Sequence, residues 1–110
     1  MTTLSETRLS REIQDALTSI GLMVIRIQSG KVQVRRAWMQ LAEPGTPDLH
    51  VVGLDLWLEV KLPGQRPSKI QEQWHARARR AGASVEVVHS VGEAIEVARL
   101  LREALERKYA

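Results

Sequence analysis

The chain has 110 residues, of which 16 are basic and 13 acidic for a formal charge of +3, and it contains no cysteine. One domain spanning 1–110 is expected, long enough to close a core unaided, and the missing thiols exclude disulfide frameworks and thiolate zinc sites. No signal-peptide-like or membrane-length apolar run occurs, so the expectation is a soluble cytoplasmic protein with no membrane partner. From Glu6 to Ile20, Leu9, Ile13, Ala16, Leu17 and Ile20 recur at helical spacing, and Gly21 ends the helix. Leu22 to Gln28 predicts a strand, and Ser29-Gly30 signals a turn into a second strand, Lys31 to Arg36, so these two should form a hairpin. Trp38 to Pro47 is expected as a loop or short irregular segment. Asp48 to Val52 and Asp55 to Leu62 predict two strands joined tightly at Gly53-Leu54.

Ile70 to Ala81 predicts a helix with Ile70, Trp74 and Ala78 on its apolar stripe, closed by Gly82. Ser84 to Val88 is a short strand. Val91 to Lys108 is a long amphipathic helix with Ile95, Ala98, Leu101 and Leu105 inward. The order α-β-β-β-β-α-β-α predicts an α/β protein, a mixed sheet flanked by helices. A right-handed crossover should place the Ser84 strand beside the strand that carries Glu59. With three tryptophans, one tyrosine and no phenylalanine, the core falls to Leu, Ile, Val and Ala.

The chemistry concentrates around that strand. Leu54, Leu56, Leu58, Val60 and Leu62 alternate with Asp55, Trp57, Glu59, Lys61 and Pro63, so Glu59 and Lys61 leave the strand on the face opposite the apolar one. On the preceding strand, parity groups Asp48, His50 and Val52 against Leu49 and Val51. Two carboxylates and an ammonium so placed suit metal-assisted attack on a phosphodiester. Glu-Val-Lys on a strand face is otherwise a solvated charge pair of little consequence. Pro47 restrains the entry to Asp48, and the basic loop Leu62-Pro63-Gly64-Gln65-Arg66-Pro67 leads into the next helix, which together favour the site reading.

Gly45-Thr46-Pro47-Asp48-Leu49, Trp57-Leu58-Glu59-Val60-Lys61 and Ser68-Lys69-Ile70-Gln71 resemble the motifs of the PD-(D/E)XK nuclease superfamily, closest to the small stand-alone VRR-NUC type of phages and bacteria. The resemblance runs in order along most of the chain. It implies a restriction-endonuclease-like mixed sheet flanked by helices. It also implies Mg²⁺ or Mn²⁺ held by Asp48, Glu59 and the backbone carbonyl of Val60, with Asp48, Glu59, Lys61 and Gln71 catalytic. An N-terminal acid completes that set, Glu6 acting through a water or Glu12 as its substitute. Where relatives carry an arginine after the last strand, this chain has His89. Stand-alone members are similar to Holliday junction resolvases and act as homodimers. The implied activity is therefore metal-dependent DNA endonuclease action on branched DNA in a bacterial or phage-infected cell, leaving a 5′-phosphate and a 3′-hydroxyl. The same fold could cut flaps, single strands or duplex, or serve as a non-catalytic DNA-binding or assembly module.

Other residues carry two readings. Ser68-x-x-Gln71 is a capping box on helix physics alone, although the resemblance places Gln71 beside the lysine. Glu6 lies within the apolar stripe and needs a partner such as Lys61, or else it sits in the first turn favouring the helix dipole. Arg35, Arg36, Arg66 and Lys69 are the expected DNA contacts within a basic surface. His50 is expected to pack rather than ligate, Trp74 to be core and Trp57 to wall the site. Trp38 and Met39, or the C-terminal helix, are expected at a two-fold interface.

Overall fold

The structure is a computed structural model, and it describes residues 5–28, 31–34, 37–40 and 42–109. Helix α1 (Glu6–Ser19) starts at Ser5, whose hydroxyl accepts the Arg8 amide at 3.1 Å. Strands β1 (Val24–Arg26), β2 (Lys31–Val34), β3 (Ala37–Gln40), β4 (Leu49–Val51) and β5 (Leu56–Val60) follow. Helix α2 (Lys69–Arg80), strand β6 (Ser84–Val88) and helix α3 (Val91–Lys108) complete the order. The result is a small α/β protein with a four-stranded mixed sheet, β1-β4-β5-β6, flanked by helices. No described helix is long and apolar enough to cross a membrane.

β4 pairs antiparallel with both β1 and β5, and β5 pairs parallel with β6 across the α2 connection, as the crossover reading expected. Alternation explains the layering. Leu49, Val51, Leu56, Leu58 and Val60 are buried on one face against Leu9, Ile13 and Leu17 of α1 and Ala94 and Ala98 of α3. The opposite face carries Trp57 and Glu59 and lies under α2. Both faces of β5 are therefore covered, which is why Glu59 is only 1 % exposed rather than solvated.

Two strand expectations are corrected. The segment Trp38 to Pro47, expected as a loop, contributes β3, and the strand beginning at Lys31 pairs with it rather than with the strand before it. The β2–β3 register joins Lys31 to Gln40 and Val34 to Ala37, forming a separate two-stranded ribbon. β1 instead joins β4, with flanking bonds from the Ile27 amide to the Asp48 carbonyl (2.8 Å) and from the Val52 amide to the Met23 carbonyl (2.9 Å). Sequence adjacency favoured a local hairpin; burial of Leu49 and Val51 selected the non-local partner. The Ser29-Gly30 turn, Leu41, and Arg35 and Arg36 lie outside the described residues, and nothing described bears on the side chains of Trp38 and Met39. β5 begins at Leu56 rather than Asp55 because Asp55 adopts φ 47°, a left-handed turn conformation that aspartate tolerates.

Gly45 has a specific task. Its φ is 93°, and a Cβ there would lie 2.7 Å from the backbone oxygen of Ile70. The loop that delivers Asp48 thus runs against the first turn of α2, with Pro47 fully buried beside it. Gly45→Ala is expected to destabilise the fold by about 1–3 kcal/mol, from positive-φ strain and the clash with backbone. Chemical denaturation measures it; an unchanged midpoint would mean that this approach is not tight.

Candidate metal and phosphodiester site

The candidate site forms where the ends of β4 and β5 meet the first turns of α1 and α2. Asp48 enters β4 and turns back over the end of β5, so that its Oδ2 accepts the Val60 amide at 2.7 Å. That bond fixes one carboxylate oxygen and sets Asp48 within hydrogen-bonding reach of the Glu59 carboxyl. Burial first, then the hydrogen bond and charge of Asp48, raise the Glu59 carboxyl from 4.5 to about 9, while Lys61 opposes the rise. At neutral pH Glu59 therefore keeps its proton. A carboxylate pair of this kind can exchange that proton for a divalent cation.

Lys61 follows the strand directly. Its Nζ lies 3.9 Å from Glu6 Oε1 on α1, with the lysine side chain 13 % exposed. Glu6 also lines a depression of about 150 Å³ together with Ser10, Arg26 and Asp48. Glu12 is elsewhere, paired with Arg8 at 3.2 Å on an exposed face of α1. Of the two N-terminal acids, Glu6 is the one at the site.

Helix α2 closes the site from the other side. Ser68 accepts the Gln71 amide at 3.3 Å and Gln71 Oε1 accepts the Ser68 amide at 2.8 Å, so the capping box is complete. The same glutamine donates from Nε2 to Glu59 Oε2 at 3.3 Å. Gln71 thus caps α2 and touches the site at once, its two amide atoms pointing in different directions. Ser68→Ala is expected to cost ~1 kcal/mol of stability with turnover unchanged. Gln71→Ala should lower both the melting temperature and the rate. Near-normal turnover in a destabilised Gln71→Ala protein would reduce the residue to a cap.

One residue of this cluster has no counterpart in the sequence reading. His75, 2 % exposed, sets its Nε2 3.2 Å from Glu59 Oε1. Burial and the nearby Arg79 lower its pKa from 6.5. With Glu59 raised and His75 lowered, the contact is a hydrogen bond between neutral partners, not an ion pair. The available signal was spacing: His75 lies one turn beyond Gln71, so both face Glu59. The expected α2 stripe was instead set on Ile70, which is 55 % exposed, and on Trp74, which is only half-buried; that stripe is corrected to one containing His75. Trp74 makes an edge contact with Trp57 at 5.2 Å, and Trp57 stacks on its cross-strand neighbour His50 at 4.2 Å. This aromatic row seats α2 on the sheet. His50 is a packing residue, and Trp57 stands beside the site.

The remaining expected contacts divide. Arg66 and Lys69 are exposed where the loop enters α2. His89 directs Nδ1 to the carbonyls of Lys61 and Leu62 at 3.2 and 3.3 Å. Carbonyls only accept, so Nδ1 carries a proton, and His89 braces the chain that presents Lys61. Comparison with protein-family models, with curated proteins and with solved structures returns no match for this chain.

Among the described residues no cluster of three or more His, Asp or Glu side chains is arranged to hold a metal ion. The donors that converge here are the Asp48 and Glu59 carboxylates, and two such groups fit a hard cation which keeps several waters. Both Glu59 oxygens also touch α2 side chains, so an ion bound there would take the place of the proton that Glu59 keeps.

The raised Glu59 carboxyl has a consequence for stability. Between 4.5 and about 9 the folded state holds a proton that the unfolded state has released. Its contribution is complete below pH 4.5 and is lost as pH rises through about 9. His75 acts oppositely: the unfolded imidazole binds a proton below 6.5, so its term grows as pH rises to that value. Above pH 6.5 only the Glu59 slope remains. Metal-free protein should lose stability from pH 7 to 9, and Glu59→Gln should flatten that slope. An unchanged slope in thermal melts of the variant would assign it to another group.

Proposed function

We propose that this chain is a PD-(D/E)XK-type nuclease of the stand-alone VRR-NUC kind, a metal-dependent endonuclease that hydrolyses DNA phosphodiesters at branched structures. The observation that carries the reading is the convergence of Asp48, Glu59, Lys61, Glu6 and Gln71 at one strand end. These residues come from α1, β5, α2 and the entry to β4, and a solvated surface pair would not draw four elements together.

In this reading Asp48, Glu59 and the Val60 carbonyl would hold Mg²⁺ or Mn²⁺, with Glu6 the acid that would assist through water. Such an ion, when bound, would supply Lewis-acid polarisation of the phosphate and activation of the attacking water. Lys61 neutralises charge that builds on the phosphate oxygens, and Glu6 holds its ammonium in place. Gln71 orients Glu59 and can position a water or a phosphate oxygen. Arg66 and Lys69 contact the DNA backbone near the loop, and Arg35 and Arg36 remain proposed contacts of the same kind. A two-fold homodimer presents two such centres to a four-way junction.

The experiment is incubation of purified protein with end-labelled four-way junctions, flaps, duplex and single strands, with and without Mg²⁺. Mg²⁺-dependent cutting of the junction is expected. Cutting confined to flaps, single strands or duplex would assign a different substrate to the same chemistry. Binding without cutting under any metal condition would favour a non-catalytic DNA-binding or assembly module.

A further inference from the structure

His75 is the buried residue of α2, and it lies too deep to meet a substrate. A histidine is a costly choice for that place, because an apolar side chain would fill the helix–sheet seam with no ring nitrogen to satisfy. Its Nε2 lies 3.2 Å from Glu59 Oε1, while Gln71 Nε2 lies 3.3 Å from Glu59 Oε2. Gln71 and His75 are one turn apart, so a single face of α2 sets a nitrogen against each oxygen of the same carboxyl. A carboxyl gripped at both oxygens is not free to turn about its last bond.

The two grips are unequal. Gln71 is half-buried at the first turn of α2, where water can replace its amide. The His75 and Glu59 side chains are 3 % and 1 % exposed, so bulk water cannot stand in for the imidazole. The helix that carries the imidazole is itself fixed to the sheet. Trp74 meets the edge of Trp57 at 5.2 Å, and Arg79 Nη2 donates to the Val85 carbonyl at 2.7 Å. A neutral imidazole donates from one ring nitrogen and accepts at the other, so it can serve Glu59 both with and without its proton. A carboxylate only accepts, and a Glu59 that has exchanged its proton for an ion therefore requires His75 to donate from Nε2.

We infer that His75 is a positioning residue, which holds the Glu59 carboxylate in the orientation that receives the divalent cation. The inference rests on the metal-dependent reading above and adds to it a residue that touches neither ion nor DNA. A purely structural histidine would instead set the stability of α2 and leave ion affinity alone.

The test is calorimetric titration with Mn²⁺, without DNA, beside melting curves of the wild type, His75→Gln and His75→Asn. A glutamine amide nitrogen reaches about as far from the backbone as imidazole Nε2, whereas that of asparagine stops one methylene short. His75→Asn should lower Mn²⁺ affinity by about 10–100-fold, the scale for loss of a group that orients a ligand. His75→Gln should restore most of that affinity, even if both variants melt below the wild type. Wild-type affinity in both variants, with only the melting lowered, would overturn the inference and leave the metal-dependent reading standing. Equal losses in both variants would overturn it too, since the reach of the donor would then not matter. A wild-type protein that binds no Mn²⁺ would overturn the metal-dependent reading and this inference together. A second measurement needs no variant: the ring ¹⁵N shifts of wild-type protein saturated with Mg²⁺ should place the His75 proton on Nε2. A proton on Nδ1 alone would leave Glu59 without this donor and overturn the inference even if His75→Asn fails to fold.

Discussion

Glu59→Gln and Asp48→Asn are each expected to abolish Mg²⁺-dependent DNA cleavage while the fold persists. The loss should be on the order of a thousandfold or more, the scale on which removal of a positioned charge reduces rate. The folded state should tolerate Glu59→Gln, because the Glu59 carboxyl, raised to about 9, is already neutral at pH 7. A glutamine there can accept from Gln71 with its oxygen and donate to His75 with its nitrogen, preserving both contacts with α2. Asp48→Asn can still accept the Val60 amide. What both variants lose is the anionic oxygen that a hard cation requires. Calorimetric titration with Mg²⁺ alongside the rate is the check. Full cleavage by either variant would remove its residue from the metal-holding set.

Lys61→Ala should be nearly as damaging by a different route. Its ammonium is held by Glu6 and is not a ligand, so metal affinity should survive while the rate falls by roughly a hundredfold. Lys61→Arg keeps the charge but carries it on a planar fork that does not match a compact ammonium, and should recover only part of the rate. If Mg²⁺ affinity collapsed together with the rate in Lys61→Ala, the lysine would be holding the carboxylates together rather than meeting substrate charge.

The parts of the fold governed by local period were legible in the chain. Leu9, Ile13 and Leu17 specify α1, and the alternation Leu56, Leu58, Val60 specifies both β5 and its core face. The candidate site was legible for a related reason: strand parity groups Asp48 with His50 and sets Glu59 and Lys61 apart from the core. Non-local pairing was not legible. A turn signal at Ser29-Gly30 says that the chain reverses, not which strand receives it, and burial of Leu49 and Val51 gave β1 to β4. His75 escaped because its neighbour Trp74 is the more apolar residue, and hydrophobicity alone sets a helix stripe one residue off. What fixes the register of α2 is polar: Gln71 and His75 both bond Glu59, and a buried carboxyl must be satisfied before an apolar ring is covered.

If Asp48 and Glu59 hold a divalent cation that drives phosphodiester cleavage, the rate must depend on both the ion and the carboxylates. The most direct measurement is a time course on an end-labelled four-way junction, with wild-type protein in Mg²⁺, wild-type protein in chelator, and Asp48→Asn in Mg²⁺, all prepared identically. Cleavage in the first reaction and none in the other two, with equal junction binding by both proteins, is the expected result. Cleavage that persists in chelator, or an Asp48→Asn protein that cuts as fast as the wild type, would contradict it.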